Sequence, residues 1–331
     1  MDQPRISVIT GYYNRADAVE QSINSILQQD FENFEFIIFD DASTDDTLNK
    51  LRRFDDPRIR LIAHPLNMGF VRGLIHAVSI ARGEFIAIHG SGDISHPSRL
   101  RRQLEVLEAD PSVSLVGCYY RTIRVDGSEL KVHTPNADAV SLEKLLKGNV
   151  FSHGEVMFRK SHYEVVGGYR PEFKYCQDYD LWVRMRQVGR FATVPEVLYT
   201  RVAREDGVSY RPEKVVEQAH YAALVGVLAK SDSAEAESIL NRVREKGVRA
   251  VISASHPVVV RMVTRRVGVL SAMRRWDNAW QTLLLVDRSN HIVYGLLRVF
   301  VWVGSRFDWK GWISRVTAWA YRRKYSRKGA P

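Results

Sequence analysis

The sequence predicts an α/β fold in which a mostly parallel sheet is flanked by helices, followed by an all-helical C-terminal region. Three observations carry this. Short apolar runs rich in β-branched and aromatic residues alternate with helical patterns through the first hundred or so residues. Strand-like patterns stop after about Pro212, where long helical patterns take over. The chain has 331 residues, which at roughly 150 per domain allows two domains.

Taken in order, the runs Ile6 to Ile9, Phe36 to Phe39, Ile59 to Ala63 and Phe85 to Ile88 read as strands. Between the first two, Val19, Ile23, Ile26 and Leu27 recur at i, i+4, i+7 and i+8, the stripe of an amphipathic helix. Leu100, Leu104 and Leu107 repeat the pattern after Pro97, a residue suited to a helix start. A strand, helix, strand, helix order implies a parallel sheet. Val113 to Val132 turns to strand, turn, strand around Asp126-Gly127, and Ala139 to Leu146 reads as a helix. Helices are then expected at Val215 to Ala229, Ala234 to Arg244, Val258 to Leu270 and Trp276 to Val286. The expected domains are residues 1–210 and 211–331.

Hydrophobic residues make up 45% and charged residues 26%, with 21 Gly and 11 Pro, which excludes collagen-like, disordered and low-complexity chains. Cys118 and Cys176 are too few for a disulfide framework and lack metal-ligand spacing, so a reducing compartment is expected. The N-terminus shows neither the basic segment nor the apolar run of a signal peptide. The net charge of +10 is unevenly placed. Residues 1–200 hold 24 basic and 27 acidic residues, net −3, whereas residues 201–331 hold 24 and 11, net +13.

In a parallel sheet, ligands sit at the carboxyl ends of the strands, so the residues just after each run carry the chemistry. The second run ends in Asp40-Asp41-Ala42-Ser43-Thr44-Asp45. Two carboxylates there suit the ring N–H of a pyrimidine base or ribose hydroxyls. Ser43 or Asp45 equally suits the cap of a helix around Leu48, and the segment has room for both uses. Thr10-Gly11-Tyr12-Tyr13-Asn14 and Asn67-Met68-Gly69-Phe70-Val71-Arg72 read either as turns that admit a ligand to the backbone or as plain turns. The fourth run ends in His89-Gly90-Ser91-Gly92-Asp93. This gives only G-x-G, with Ser95 at the third glycine's place and after the fourth strand, which excludes a dinucleotide fingerprint.

The ordered motifs Ile6-Ser7-Val8-Ile9-Thr10-Gly11-Tyr12-Tyr13-Asn14, Phe39-Asp40-Asp41-Ala42-Ser43-Thr44-Asp45, Asn67-Met68-Gly69, Arg82-Gly83-Glu84-Phe85-Ile86, Gly167-Gly168-Tyr169 and Gln177-Asp178-Tyr179-Asp180-Leu181-Trp182 resemble family 2 glycosyltransferases of the GT-A fold. They cover about 205 residues. The resemblance implies an inverting hexosyl or similar transferase, which moves a sugar from a nucleotide donor to an acceptor hydroxyl. It implies a nucleotide-sugar site at Thr10, Gly11 and Tyr13, with Asp41 on the base and Asp40 beside it. Gly69, Arg72, Gly92 and Asp93 are expected to complete that site.

The resemblance places Asp178 as the general base. Without it, Asp178 and Asp180 read as first-turn acids favoured by the helix dipole. On the acceptor side it implies His153, Gly154 and Trp182. His153-Gly154-Glu155-Val156-Met157-Phe158-Arg159 matches the family's acceptor-side strand or is a sheet strand with a polar start, and Trp182 either lines the acceptor site or is core.

Two segments depart from the family. Its fourth-strand motif usually reads Leu-Asp-Ser-Asp-Asp, whose D-x-D holds a divalent cation, Mg²⁺ or Mn²⁺, against the donor diphosphate. Here those positions are Gly90 and Gly92, and only Asp93 remains. Tyr199-Thr200-Arg201-Val202-Ala203 resembles the family's Tyr-Arg-x-His segment with Ala203 in place of the histidine. A leaving diphosphate still needs its charge stabilised, so Arg72, with Arg201 or Arg204, is expected to replace some or all of the metal's role. A rearranged site at His89, Asp93 and His96 is the alternative metal arrangement, and a catalytically silent domain acting as a binding or scaffold subunit is the alternative function.

Six of the seven tryptophans lie between Trp276 and Trp319, and residues 288–331 carry ten basic residues against Asp308 alone. Trp309, Trp312, Ile313, Val316, Trp319 and Ala320 would share a helical face, followed by the basic run Arg322 to Lys328. An aromatic face, a basic flank and no run of ~20 apolar residues suit an interfacial helix on an anionic membrane. Tryptophan packing with a solvated basic tail is the bland reading, and no recognition motif supports nucleic acid. The expected enzyme is cytoplasmic, peripheral to the inner face of the membrane, and builds a cell-envelope polysaccharide on a lipid-linked or growing glycan acceptor.

Overall fold

The computed structural model of the chain describes residues 3–138, 140–204, 211–286 and 292–306. It divides into two compact units, Met1–Arg204 and Glu205–Pro331. In the first unit the elements are β1 (Ile6–Tyr12), α1 (Val19–Leu27), β2 (Phe34–Asp40), α2 (Thr47–Leu51), β3 (Ile59–Ala63), α3 (Phe70–Ser79), β4 (Phe85–Ile88), β5 (Ile94–Ser95), α4 (Arg99–Ala109), β6 (Val113–Arg124), β7 (Glu129–His133), α5 (Leu142–Leu145), β8 (Met157–Arg159), α6 (Lys160–Val165), α7 (Gln177–Met185) and β9 (Arg190–Ala203).

The nine strands among the described residues join one sheet in the order β3-β2-β1-β4-β8-β6-β9-β5, with β7 paired to β6. β1, β2, β3 and β4 are mutually parallel, as the alternation predicts. Every residue of β1, β2 and β4 is buried, which a parallel sheet covered on both faces requires. On one face Val19, Ile23 and Ile26 of α1 and Leu100, Leu104 and Leu107 of α4 close the main core over Val8, Phe36 and Ala87. The chain runs outward from β1 to β3 and returns to place β4 on the other side of β1. The crevice at the carboxyl ends of β1 and β4 is therefore a topological switch point.

β8 enters antiparallel between β4 and β6, and β9 pairs parallel with β6, so the sheet is mixed. The expected hairpin forms as β6 and β7, with Gly127 at φ +83 in its turn. Two elements differ from expectation. The helix expected over 139–146 is only the turn α5, because Ser141 accepts the Lys144 N–H and starts it late. The expected strand from His153 to Arg159 begins as a 3-10 turn at His153–Glu155, set by a capping box between Ser152 and Glu155, and only Met157–Arg159 is strand.

The second unit is helical: α8 (Pro212–Leu228), α9 (Ser233–Lys246), α10 (Pro257–Ala272), α11 (Trp276–Leu284) and α12 (Ile292–Arg306). α10 packs against α8, α11 and α12. Val259, Val263 and Val267 are fully buried, and the Tyr294 hydroxyl donates to Ala254 O at 2.8 Å. α12 takes up the long apolar stretch yet leaves Ile292, Leu296, Val299 and Trp302 exposed. No helix among the described residues is long and apolar enough to cross a membrane. The tryptophan face from Trp309 to Trp319 and the basic run after it lie outside the described residues.

Candidate active site

The loops after β1 and β2 are stitched together by side-chain bonds to backbone. Asn14 sits at φ +51, its N–H donates to Ser43 Oγ at 3.0 Å, and its Oδ1 accepts from Thr44 N at 2.8 Å. Asp45 accepts the Thr47 N–H at 3.0 Å and the Thr47 hydroxyl at the start of α2. Of the two residues expected to cap that helix, Asp45 serves its first turn. Ser43 instead holds the neighbouring loop.

Asp40 and Asp41, expected on the nucleotide, are both buried at the end of β2 and are engaged by the loops around them. Asp40 is 0% exposed, with Oδ2 accepting from Ser43 N at 2.9 Å and Oδ1 buried without a partner among the described residues. Asp41 organises the loop into α3: Oδ1 accepts from Met68 N at 3.0 Å, Oδ2 accepts from Gly69 N at 2.9 Å, and His64 Nδ1 lies 3.1 Å from Oδ1. Gly69, at φ +87, gives the backbone the turn that starts α3. Gly11 also gets a different reason. A Cβ there would lie 2.1 Å from Phe39 Cζ, and Gly73 faces the same ring, so the two glycines house Phe39. Thr10 is buried, its hydroxyl without a partner among the described residues, whereas Tyr13 is about half exposed.

Beyond β4, Asp93 Oδ2 accepts from the Tyr199 hydroxyl at 2.6 Å and Oδ1 accepts from Val202 N at 2.9 Å. The same hydroxyl accepts from Gly90 N at 2.9 Å. Burial raises the Asp93 pKa to about 6, against the lowering effect of these bonds and of the Arg201 charge. Beneath lies Arg99, fully buried, which donates to Ile88 O at 2.7 Å and Ser95 Oγ at 2.8 Å with its guanidinium 5.0 Å from the Tyr199 ring centroid. Burial and the Arg99 charge hold His89 neutral, with a pKa of about 3.

The expected rearranged metal site does not assemble. His89 contacts Ser22 and Ser95, Asp93 is committed to Tyr199 and Val202, and exposed His96 bonds Ser98. Among the described residues no three His, Cys, Asp or Glu side chains converge on one point.

On the other side of the crevice, α7 begins after Cys176, which adopts the left-handed conformation at φ +59. Asp178 and Asp180 both fall in its first turn, yet their surroundings differ. Asp180 is 2% exposed and clamped by Arg170 at 3.0 Å and Arg184 at 2.6 Å. Asp178 is partly exposed and, among the described residues, accepts a single side-chain bond, from Asn149 Nδ2 at 2.9 Å.

His153 bonds the Tyr169 hydroxyl through Nε2 at 2.8 Å. Burial lowers its pKa against the opposing Asp178 charge, so the ring is neutral beside that carboxylate. Phe70 of α3 meets His153 edge-on at 6.0 Å, which joins the two sides of the crevice. Trp182 is not open to an acceptor. It is fully buried between His153 and Phe158 and belongs to the core.

The structure thus brings together Asp41, Gly69 and the α3 start on one side, and Asp178 with His153 on the other. It places Gly90, Asp93 and Gly154 around the Tyr199 hydroxyl, where a Cβ on Gly154 would lie 2.1 Å from that oxygen. Gly92, at φ +92, turns the chain toward Asp93. The three candidate arginines separate. Arg204 is ion-paired to Asp17 at 2.5 Å, Arg72 is exposed in the first turn of α3, and Arg201 is half-buried with its guanidinium 5.9 Å from the Tyr120 ring centroid. The residues that sequence reasoning missed are His64, Arg99 and Asn149, and the role of Tyr199, read there only as the start of a family segment, was missed with them. Each acts through a partner more than ten residues away in sequence, which spacing does not reveal.

A sequence profile for Glycosyl transferase family 2 matches residues 7–167. The putative glycosyltransferase EpsE of Bacillus subtilis (strain 168) is 34% identical over 217 residues, covering 63% of this chain and 76% of that protein. The putative teichuronic acid biosynthesis glycosyltransferase TuaG of the same organism is 30% identical over 193 residues, 56% of this chain and 74% of its own length. The solved structure of the mannosyltransferase PcManGT from Pyrobaculum calidifontis, in complex with GDP-Man and Mn²⁺, superposes with a TM-score of 0.57 at 17% identity. That match covers 98% of this chain and 88% of the other and shows a shared fold.

Proposed function

The chain belongs to glycosyl transferase family 2, and from that premise we propose that it moves a sugar from a nucleotide donor to an acceptor hydroxyl with inversion, Asp178 acting as general base. The observation that carries this is the freedom of Asp178 beside the clamped Asp180. A base needs an open lone pair facing the substrate, and among the described residues Asp178 has one side-chain partner while Asp180 has two arginines. In one displacement the acceptor O–H gives its proton to the Asp178 carboxylate as the acceptor oxygen bonds the anomeric carbon. The bond from that carbon to the diphosphate breaks on the opposite face, and its electron pair leaves with the nucleotide. Asn149 orients the carboxylate, and the neutral His153 ring beside it adds no competing cation.

The acceptor is a growing or lipid-linked glycan, in keeping with the teichuronic acid relative. On this reading the enzyme sits on an anionic membrane surface. Ile292, Leu296 and Val299 recur at helical spacing on the exposed side of α12, and the basic run Arg322 to Lys328 follows in sequence. A panel of UDP-, GDP- and dTDP-sugars incubated with the full chain and candidate acceptors tests the reaction. Release of nucleoside diphosphate with a product of inverted anomeric configuration is expected. Donor binding without turnover on any acceptor would favour the silent scaffold instead. For the membrane, Leu296→Glu with Val299→Glu should lower sedimentation with anionic liposomes, and unchanged sedimentation would remove α12 from the reading.

A further inference from the structure

Family resemblance expects a divalent cation against the donor diphosphate, and this chain's residues do not fit one. A Cβ at Gly90 would lie 2.3 Å from Asp93 Oδ2 and 3.0 Å from the Tyr199 hydroxyl, so the space where the first D-x-D side chain would start is already filled. Asp93, the one acid left in the motif, spends one oxygen on the Tyr199 hydroxyl and the other on Val202 N. The Tyr199 hydroxyl is in turn fixed by Gly90 N and enclosed on its other side by Gly154. This packing is specific: it needs glycine at both 90 and 154, and a buried arginine under the tyrosine ring holds it from below.

β9 then supplies a charge. From Tyr199 to Ala203 its register with β6 is regular, so alternate residues Tyr199, Arg201 and Ala203 share one face. Tyr199 reaches Asp93, and Ala203 stands where the resemblance puts a metal-contacting histidine. Arg201 lies between them, half-buried, with no ion-pair partner among the described residues and with its charge felt by both Asp93 and Glu155. Arg204 is ion-paired to Asp17 and Arg99 is fully buried beneath the tyrosine ring, which leaves Arg201 as the partly exposed cation beside this lock. A fixed guanidinium presents planar, forked donors suited to phosphate oxygens and needs no exchangeable ion.

We propose that this enzyme binds its nucleoside diphosphate without a divalent cation, the Tyr199–Asp93 lock filling the space of the missing D-x-D side chain and Arg201 meeting the diphosphate. The inference rests on the nucleotide-sugar reading of the same site.

Calorimetric titration of the full chain with UDP and with GDP, first in EDTA and then in millimolar Mn²⁺ or Mg²⁺, tests it. The expected result is a dissociation constant for the preferred nucleotide that agrees within about twofold between the buffers. Arg201→Ala, with its melting temperature unchanged, should weaken binding about tenfold in EDTA, and Arg201→Lys should recover part of the loss. Binding seen only with metal, or tightened by more than about twofold, would overturn metal independence while leaving the glycosyltransferase reading in place. A folded Arg201→Ala that binds like the parent would overturn the role of Arg201. No binding of either nucleotide in any buffer would overturn the donor-site reading and this inference with it.

Discussion

The two sides of the crevice treat their carboxylates in opposite ways. At the β2 end, Asp41 receives two backbone N–H groups and lies beside His64, and Asp40 holds the Ser43 N–H, so these acids shape the loops around them. At the α7 end, Asp180 is clamped by two arginines while Asp178, two residues earlier, keeps an open flank. One residue type thus serves two ends. A carboxylate with its lone pairs filled is structure, and one left largely unfilled is available for proton transfer. The difference is set by how many donors the fold aims at each oxygen.

The sharpest way to break this comparison is to exchange the two acids of α7 for neutral residues. Asp178→Asn should lower kcat by roughly 10²- to 10⁴-fold while nucleotide affinity and melting temperature stay near the parent values. Retained turnover would move the base elsewhere. Asp180→Ala should act the other way. It leaves Arg170 and Arg184 facing a gap at a nearly buried site, and should cost about 3 kcal/mol of stability in urea unfolding. A variant of parental stability would show that the arginines find new partners and that the clamp is not structural.

Much of the fold was legible because it rests on local pattern. The alternation of β-rich runs with the Val19 to Leu27 stripe predicts β1 to β4 and α1, and the buried parallel strands follow directly. The 3-10 turn at His153 was not legible, because it depends on a reciprocal pair of bonds between Ser152 and Glu155 rather than on periodicity. At the candidate site, motif order puts Asp41 at the end of β2 and Asp178 in the first turn of α7, where the fold has them. Their partners were not legible: His64 reaches Asp41 across 23 residues and Asn149 reaches Asp178 across 29. Gly11 reads in sequence either as an opening for a ligand or as a plain turn, and the fold adds that a Cβ there would meet Phe39, since only packing shows which neighbour fills a missing Cβ.

Asp93 offers a smaller and pH-dependent probe of the crevice floor. Its pKa rises from 3.8 to about 6 on folding, chiefly through burial, so between those values the folded chain binds more protons than the unfolded one. This acid therefore makes stability fall as pH rises through that window. Asp93→Asn should flatten that part of the stability profile relative to the parent. Urea midpoints measured across the window read the difference in slope, and parallel profiles would mean that Asp93 ionises in the folded state as freely as in water.

The smallest effect sharpens the comparison at the β2 side, where tight bonding carries a local strain. Ala42 follows Asp41 at φ +59, a conformation that costs a residue with a Cβ about 1 kcal/mol and glycine almost nothing. The strain is held in place by the bonds on either side, from Asp40 to Ser43 N and from Asp41 to Met68 N and Gly69 N. Ala42→Gly relieves it, while the greater freedom of glycine in the unfolded chain takes back part of the gain. The net expectation is a stabilisation of about 0.5 kcal/mol, read as a rise of roughly 1 °C in melting temperature with nucleotide affinity unchanged. A fall in melting temperature would show that the Ala42 methyl contributes packing worth more than the strain, and that the loop is fixed by its side chains as much as by its carboxylates.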